Sequence, residues 1–146
     1  MKALRRILIA EDNAADLELT IEALRQSRLV NPVDTVRDGV EVVDYLLRRG
    51  PWADRPPGDP VVVLLDLKMP RMDGIEVLRA VKGDERLRRI PVVMLTSSRQ
   101  ETDLVRSYEL GVNAYVVKPV AFDEFLSAVR ELGTFWALLN ESPPES

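Results

Sequence analysis

The sequence predicts an α/β fold, a doubly wound five-stranded parallel sheet, and three observations predict it. Short apolar runs alternate five times with segments of helical period along the 146 residues. The central run, Val61 to Leu65, is continuous and mostly β-branched, as expected of a parallel strand covered on both faces. Acidic, hydroxyl and basic residues follow successive runs, and open α/β sheets gather function at the carboxyl ends of their strands.

The elements follow in order. Arg6 to Ala10 (RILIA) reads as the first strand, stopped by Glu11, Asp12 and Asn13, and Leu17, Ile21 and Leu24 then recur at helical spacing. Val33 to Val36 is a weaker strand, and Asp38-Gly39 opens a second helix carrying Val42, Val43, Leu46 and Leu47. Gly50 to Pro60, with four prolines and two glycines, predicts a loop. The third strand is Val61 to Leu65 and the third helix Gly74 to Lys82. Pro91 to Leu95 begins at a residue that lacks a ladder donor and reads as the fourth strand. A fourth helix from Gln100 to Leu110 is stopped by Gly111. The fifth strand is Ala114 to Val117. The last helix runs from Phe122 to about Leu139, with Phe125, Val129 and Leu132 on one stripe. Right-handed crossovers between such strands put helices on both faces of the sheet.

Composition narrows the chemistry. A 46% hydrophobic chain of this length can bury a core, so one domain over 1–140 with a polar tail at 141–146 is expected. No apolar stretch is long enough to span a bilayer, and no charged-then-apolar leader pattern opens the chain, which predicts a cytoplasmic protein without a membrane partner. The absence of cysteine fits a reducing compartment and leaves no thiolate metal site. The absence of histidine removes histidine-dependent triads and an internal phosphohistidine. A net charge of -4 argues against nucleic acid as a partner.

Carboxylate, hydroxyl and amine chemistry remains, and the candidates sit at strand ends: Glu11 and Asp12 after the first, Asp66 after the third, Thr96 after the fourth and Lys118 after the fifth. Taken singly, each has an ordinary structural explanation. Glu11 and Asp12 can cap a helix, Asp66 can be a turn aspartate, Thr96 a cap and Lys118 a surface lysine. Together they describe a pocket. Three crowded carboxylates repel one another, a hard divalent cation relieves the repulsion, and Mg2+ fits such an oxygen set. An aspartate there can attack phosphorus to give an acyl phosphate while a lysine neutralises the oxygens.

These residues, with Asp66 inside LLDLKMPRMDG, make the sequence resemble the receiver family of two-component signalling over roughly residues 5 to 133. The resemblance implies strand order 2-1-3-4-5 in a flavodoxin-like (CheY-like) three-layer sandwich. It implies that Asp66 is the phospho-acceptor, and that Asp12, Asp66 and the Lys68 backbone carbonyl ligate Mg2+ with Glu11 acting mostly through water. It makes Thr96 the switch hydroxyl, Tyr115 the switch aromatic, and the peptide bond after Lys118, to Pro119, cis. The partner implied is a histidine kinase, and the protein is expected to be a phospho-acceptor signalling switch that assists its own phosphorylation and dephosphorylation rather than an enzyme.

The loop before the third strand, the RIPVVMLTSS segment, the Ser107-Tyr108 pair and the Phe135-Trp136 ending further resemble small response regulators that partner bacterial phytochromes. That resemblance implies a bacteriophytochrome kinase and a homodimer through the helix 4, strand 5, helix 5 face, with Leu104, Val117 and Phe135-Trp136 contributing contact.

Rival readings fit less well. A phosphatase of the haloacid dehalogenase class needs a second aspartate where Lys68 stands, a flavodoxin-like phosphate loop would not carry Glu11, Asp12 and Asp16, and GxxxxGK[ST] is absent. About a dozen residues after the receiver-like region leave no room for an effector domain. The expected output is therefore protein interaction, with phosphate sink or relay intermediate as the alternative.

Overall fold

The computed structural model describes residues 5–26, 31–101 and 114–132. Strands β1 (Ile7–Ala10), β2 (Val33–Val36), β3 (Val62–Asp66), β4 (Val92–Thr96) and β5 (Tyr115–Val117) form a single sheet in the order β2-β1-β3-β4-β5. Every pairing is parallel. The helices are α1 (Ala14–Gln26), α2 (Gly39–Leu47), α3 (Gly74–Lys82), α4, described over 99–101, and α5 (Phe122–Glu131).

Alternation along the strands divides the core in two. Leu8, Ala10, Val63, Leu65 and Met94 face one way, against Val42, Tyr45 and Leu46 of α2 and Val77, Leu78 and Val81 of α3. Ile7, Ile9, Val62, Leu64 and Val93 face the other way, against Ala23 and Leu24 of α1 and Phe125, Ala128 and Val129 of α5. Side chains of successive strand residues point to opposite faces, so one apolar run feeds both layers.

Register decides what the sheet presents at its carboxyl edge. Ala10 pairs with both Val36 and Leu65, Asp66 with Leu95, and Thr96 with Val117. The ladder continues just past the strands: Glu11 N–H donates to Val36 O (3.0 Å), Leu67 N–H to Leu95 O (3.0 Å) and Lys118 N–H to Thr96 O (2.7 Å). Glu11, Asp66, Thr96 and Lys118 therefore leave neighbouring strands along one rim.

The loop from β3 to α3 is pinned close to that rim. Asp73 caps α3 by accepting from Glu76 N–H, and the Glu76 carboxylate accepts from the Asp73 N–H in return, a capping box. A Cβ on Gly74 would lie 2.6 Å from the Asp66 carbonyl oxygen and 2.9 Å from Leu67 Cα, so only glycine lets α3 start against the end of β3. Arg71, at φ 63°, reaches across to Asp38, the residue that caps α2, with Nη2 to Oδ2 at 2.7 Å.

The segment predicted as a plain loop contains a 3-10 turn, Gly50–Trp52, and closes over Tyr45. Trp52 meets the Tyr45 ring edge-on at 4.9 Å, and the Arg55 guanidinium lies 4.3 Å above it while its Nε donates to Tyr45 O. Tyr45 in turn donates its hydroxyl hydrogen to Asp34 at 2.6 Å, and Arg6 grips the same carboxylate at 2.7 and 2.9 Å. Arg6 foremost, opposed by burial and assisted by Tyr45, holds the Asp34 carboxyl below its usual range.

The limits of the described strands differ from expectation by about one residue, and the last helix, expected to about Leu139, is described from Phe122 to Glu131, with 133–139 outside the described residues. β3 runs on through Asp66, and β4 starts at Val92 because Pro91 has no N–H to donate; its carbonyl accepts from Val63 instead. β5 starts at Tyr115 rather than Ala114. The expected helix Gln100 to Leu110 is described only at its beginning. Leu104, Ser107-Tyr108, Gly111, Phe135-Trp136 and the tail at 141–146 lie outside the described residues. Among the described residues no helix is long and apolar enough to cross a membrane.

Candidate functional site

The carboxyl edge of the sheet brings most of the expected residues together. Glu11 and Asp66 are buried at 1% and 4% exposure, Thr96 is fully buried and Asp12 is exposed at the mouth. One oxygen from each of Glu11, Asp12 and Asp66 lies within 4.8 Å of the others. Lys118 reaches this group from the end of β5. Its Nζ is 3.0 Å from Glu11 Oε1 and 3.3 Å from each Asp66 oxygen. The Lys118-Pro119 peptide bond is cis, as expected. Tyr115 lies half-buried on β5, packed against the core on the α2–α3 side.

Burial first, then the adjoining Glu11 carboxyl, pushes Asp66 up to about 8, and Lys118 only partly offsets this. Burial lowers Lys118, but hydrogen bonds to Glu11 and Asp16 and the charge of Asp66 outweigh it and hold the ammonium above its usual value. A buried carboxylate this strained beside two more oxygen donors is what a hard cation relieves, and magnesium prefers such oxygen ligands. The donor set fits Mg2+.

Two features went unread in the sequence. Asp16, one of the acids that speak against a flavodoxin-like phosphate loop, stands in the first turn of α1, and its Oδ2 accepts from Lys118 Nζ at 3.0 Å. Its place in the first turn of α1, directly after the acidic pair at the end of β1, was the available signal. The Lys68 side chain, whose backbone carbonyl alone was singled out, makes a 2.9 Å ion pair with Glu101 on α4. Glu101 also accepts from Ser97 N–H (2.7 Å) and Ser97 Oγ (2.6 Å). The Ser97 hydroxyl first, and Lys68 next, draw its carboxyl down to about 2.

Residues 7–130 match the profile of the response regulator receiver domain. The chain belongs to that family. As a receiver domain it is 41% identical over 138 residues to the probable methanogenesis regulatory protein FilR2 of Methanothrix harundinacea, covering 94% of this chain and 86% of the relative. It is 38% identical to response regulator Rcp1 of Synechocystis, covering 89% and 87% respectively. Among solved structures, the bacteriophytochrome response regulator AtBRR superposes with a TM-score of 0.91 at 63% identity, covering 96% of this chain and all of that one. Two further receivers are more distant. The phosphorylated cyanobacterial phytochrome response regulator RcpA superposes at 0.74 with 40% identity, covering 98% of this chain and 100% of RcpA. The Mn(2+)-bound form of Rcp1 superposes at 0.72 with 37% identity, covering 97% and 99%. The receiver fold, the strand order 2-1-3-4-5 and the kinship with phytochrome response regulators expected from the sequence are thus borne out.

Proposed function

We propose that this receiver domain is the phospho-acceptor of a two-component pathway, taking a phosphoryl group on Asp66 from the phosphohistidine of a histidine kinase. The observation that carries the reading is the buried Asp66 carboxylate with the Lys118 ammonium 3.3 Å from both of its oxygens and Glu11 and Asp12 alongside. An Asp66 oxygen attacks phosphorus, the P–N bond breaks, and the imidazole leaves with the electron pair and takes up a proton from solvent. Lys118 neutralises the phosphoryl oxygens as its hold on Asp66 loosens, and the Thr96 hydroxyl supplies a further hydrogen bond. Asp12, Asp66 and the Lys68 carbonyl, with Glu11 behind them, would hold Mg2+, which supplies charge neutralisation and a template for in-line transfer when bound.

The kinase partner is read as a bacteriophytochrome. The 63% identity to AtBRR, a bacteriophytochrome response regulator, supports this. Signalling follows from inward movement of Thr96 and then Tyr115, which changes the face carrying α4, β5 and α5. That face is also read as the homodimer surface, and a cytoplasmic location follows from a kinase partner. Sedimentation at micromolar concentration, with and without a phosphoryl mimic, tests the dimer, and a monomer in both states removes it. Incubating the chain with acetyl phosphate and Mg2+, then following the phosphorylated species on an intact-mass spectrum, tests the acceptor reading. Absence of an acid-stable, base-labile phosphoryl adduct overturns it.

Magnesium, by binding the folded state alone, is expected to stabilise the fold by about 2.7 kcal/mol at a hundredfold excess over Kd, and so to raise the melting temperature. Asp12→Ala should remove most of that gain while raising the metal-free melting temperature, because it deletes one of three crowded like charges. Scanning calorimetry with and without Mg2+ checks both signs. A fall in the metal-free melting temperature contradicts the crowding argument.

A further inference from the structure

Two loops frame the pocket, one leaving β3 after Asp66 and one leaving β4 after Thr96. A single carboxylate bridges them. Glu101 Oε1 accepts from the Lys68 ammonium at 2.9 Å, two residues beyond Asp66. Its Oε2 accepts from both the backbone N–H and the hydroxyl of Ser97, the residue after Thr96. Asp66 pairs with Leu95 in the β3–β4 register, so Ser97 emerges two residues past the acceptor's partner, at the pocket rim. The Lys68 ammonium and the N–H and hydroxyl of Ser97, three donors at this rim, are thus committed to a group of the incoming anion's own sign.

An ordinary capping role explains part of this arrangement. Ser98 Oγ accepts from Glu101 N–H at 3.3 Å at the start of α4, and a glutamate at this spacing commonly bonds back to a preceding amide. Capping does not explain Lys68, whose side chain is 80% exposed and pairs with Glu101 at 2.9 Å. Nor does it require the Ser97 hydroxyl.

We propose that Glu101 is a gating residue of the phospho-acceptor pocket: in the unphosphorylated domain it holds Lys68 and Ser97, and it must release them before a phosphoryl group can settle on Asp66. This rests on the reading of Asp66 as acceptor and adds a regulator to it. A phosphoryl group brings roughly -1.5 to -2 charges. Placed on Asp66, it repels the Glu101 carboxylate and competes for the same three hydrogen bonds. Release of Glu101 frees the start of α4 at 99–101 from the two loops, which links occupancy of the pocket to that turn. Glu101 touches neither acceptor nor donor and acts only through Lys68 and Ser97.

The test is the rate at which acetyl phosphate, with Mg2+, phosphorylates wild type, Glu101→Gln, Lys68→Ala and the double variant. In this reaction an Asp66 oxygen bonds to phosphorus and acetate departs with the electron pair of the broken P–O bond. Glu101→Gln keeps an acceptor for the cap but removes the charge. It is expected to speed phosphorylation about tenfold, the scale on which charge at a cleft mouth alters capture of an ion, and to tighten beryllofluoride binding in parallel. Lys68→Ala should slow the reaction more in the Glu101→Gln background than in wild type, since only there is the ammonium released to the incoming anion. A Glu101→Gln variant with a lowered melting temperature but wild-type rate and beryllofluoride affinity overturns the gate and leaves a helix cap. A wild-type chain that takes no label removes the acceptor reading itself, and the gate with it.

Discussion

Replacing Asp66 by asparagine is expected to abolish phosphorylation by acetyl phosphate or by a cognate kinase. An amide oxygen carries no charge to attack phosphorus, and among the described residues no other carboxylate combines burial at a strand end with two lysine contacts of 3.3 Å. Intact-mass spectra before and after mild base decide the matter, and an adduct persisting undiminished in the variant contradicts the assignment. The same substitution carries a pH signature. Asp66 is pushed up to about 8 from an ordinary 3.8, chiefly by burial and next by Glu11. Between those values the folded state holds a proton that the unfolded state has lost, so the metal-free protein loses stability as pH rises through that window. Asp66→Asn keeps the shape without the charge. Its stability advantage over wild type, in the absence of Mg2+, should therefore be small near pH 4 and grow up to about pH 8. A constant difference across urea titrations at several pH values would show that Asp66 ionises unhindered.

The second large effect belongs to Lys118. Its ammonium is the shared partner of Glu11, Asp16 and Asp66, and its side chain is only 16% exposed. Lys118→Ala leaves those three carboxylates facing one another. Removing one partner of a buried ion pair typically costs about 3 kcal/mol or more, because an uncompensated charge remains. Denaturation midpoints without metal should fall accordingly, and Mg2+ should restore much of the loss. Phosphorylation should not be restored. Loss of a cation aimed at developing charge slows such chemistry roughly 100-fold. A variant with normal metal-free stability contradicts the pairing, and a variant phosphorylated at the wild-type rate contradicts the chemical role.

Fold class was legible because it depends on patterns local in the chain. The run VVVLL needs two covered faces, and the sheet supplies them with α2 and α3 on one side and α1 and α5 on the other. The capping box at Asp73 is local to D-x-x-E, whereas the close approach at Gly74 depends on where α3 starts against the end of β3. Glu11, Asp66, Thr96 and Lys118 were legible as a set because parallel strands place their carboxyl ends along one rim, whatever the intervening helices contain. Contacts made by long side chains were not. The sequence shows Asp16 as one more acid after the first strand, but only the packing of α1 beside the end of β5 brings it to 3.0 Å from Lys118, 102 residues away. Lys68 and Glu101 are likewise 33 positions apart, and a helix start such as S-S-R-Q-E predicts a cap without saying which loop lies beside it. Sequence period thus determined the sheet, its layers and the identity of the acidic rim. Tertiary packing decided how the charges on that rim are shared, because hydrogen bonding depends on tenths of an ångström that strand order and spacing do not specify.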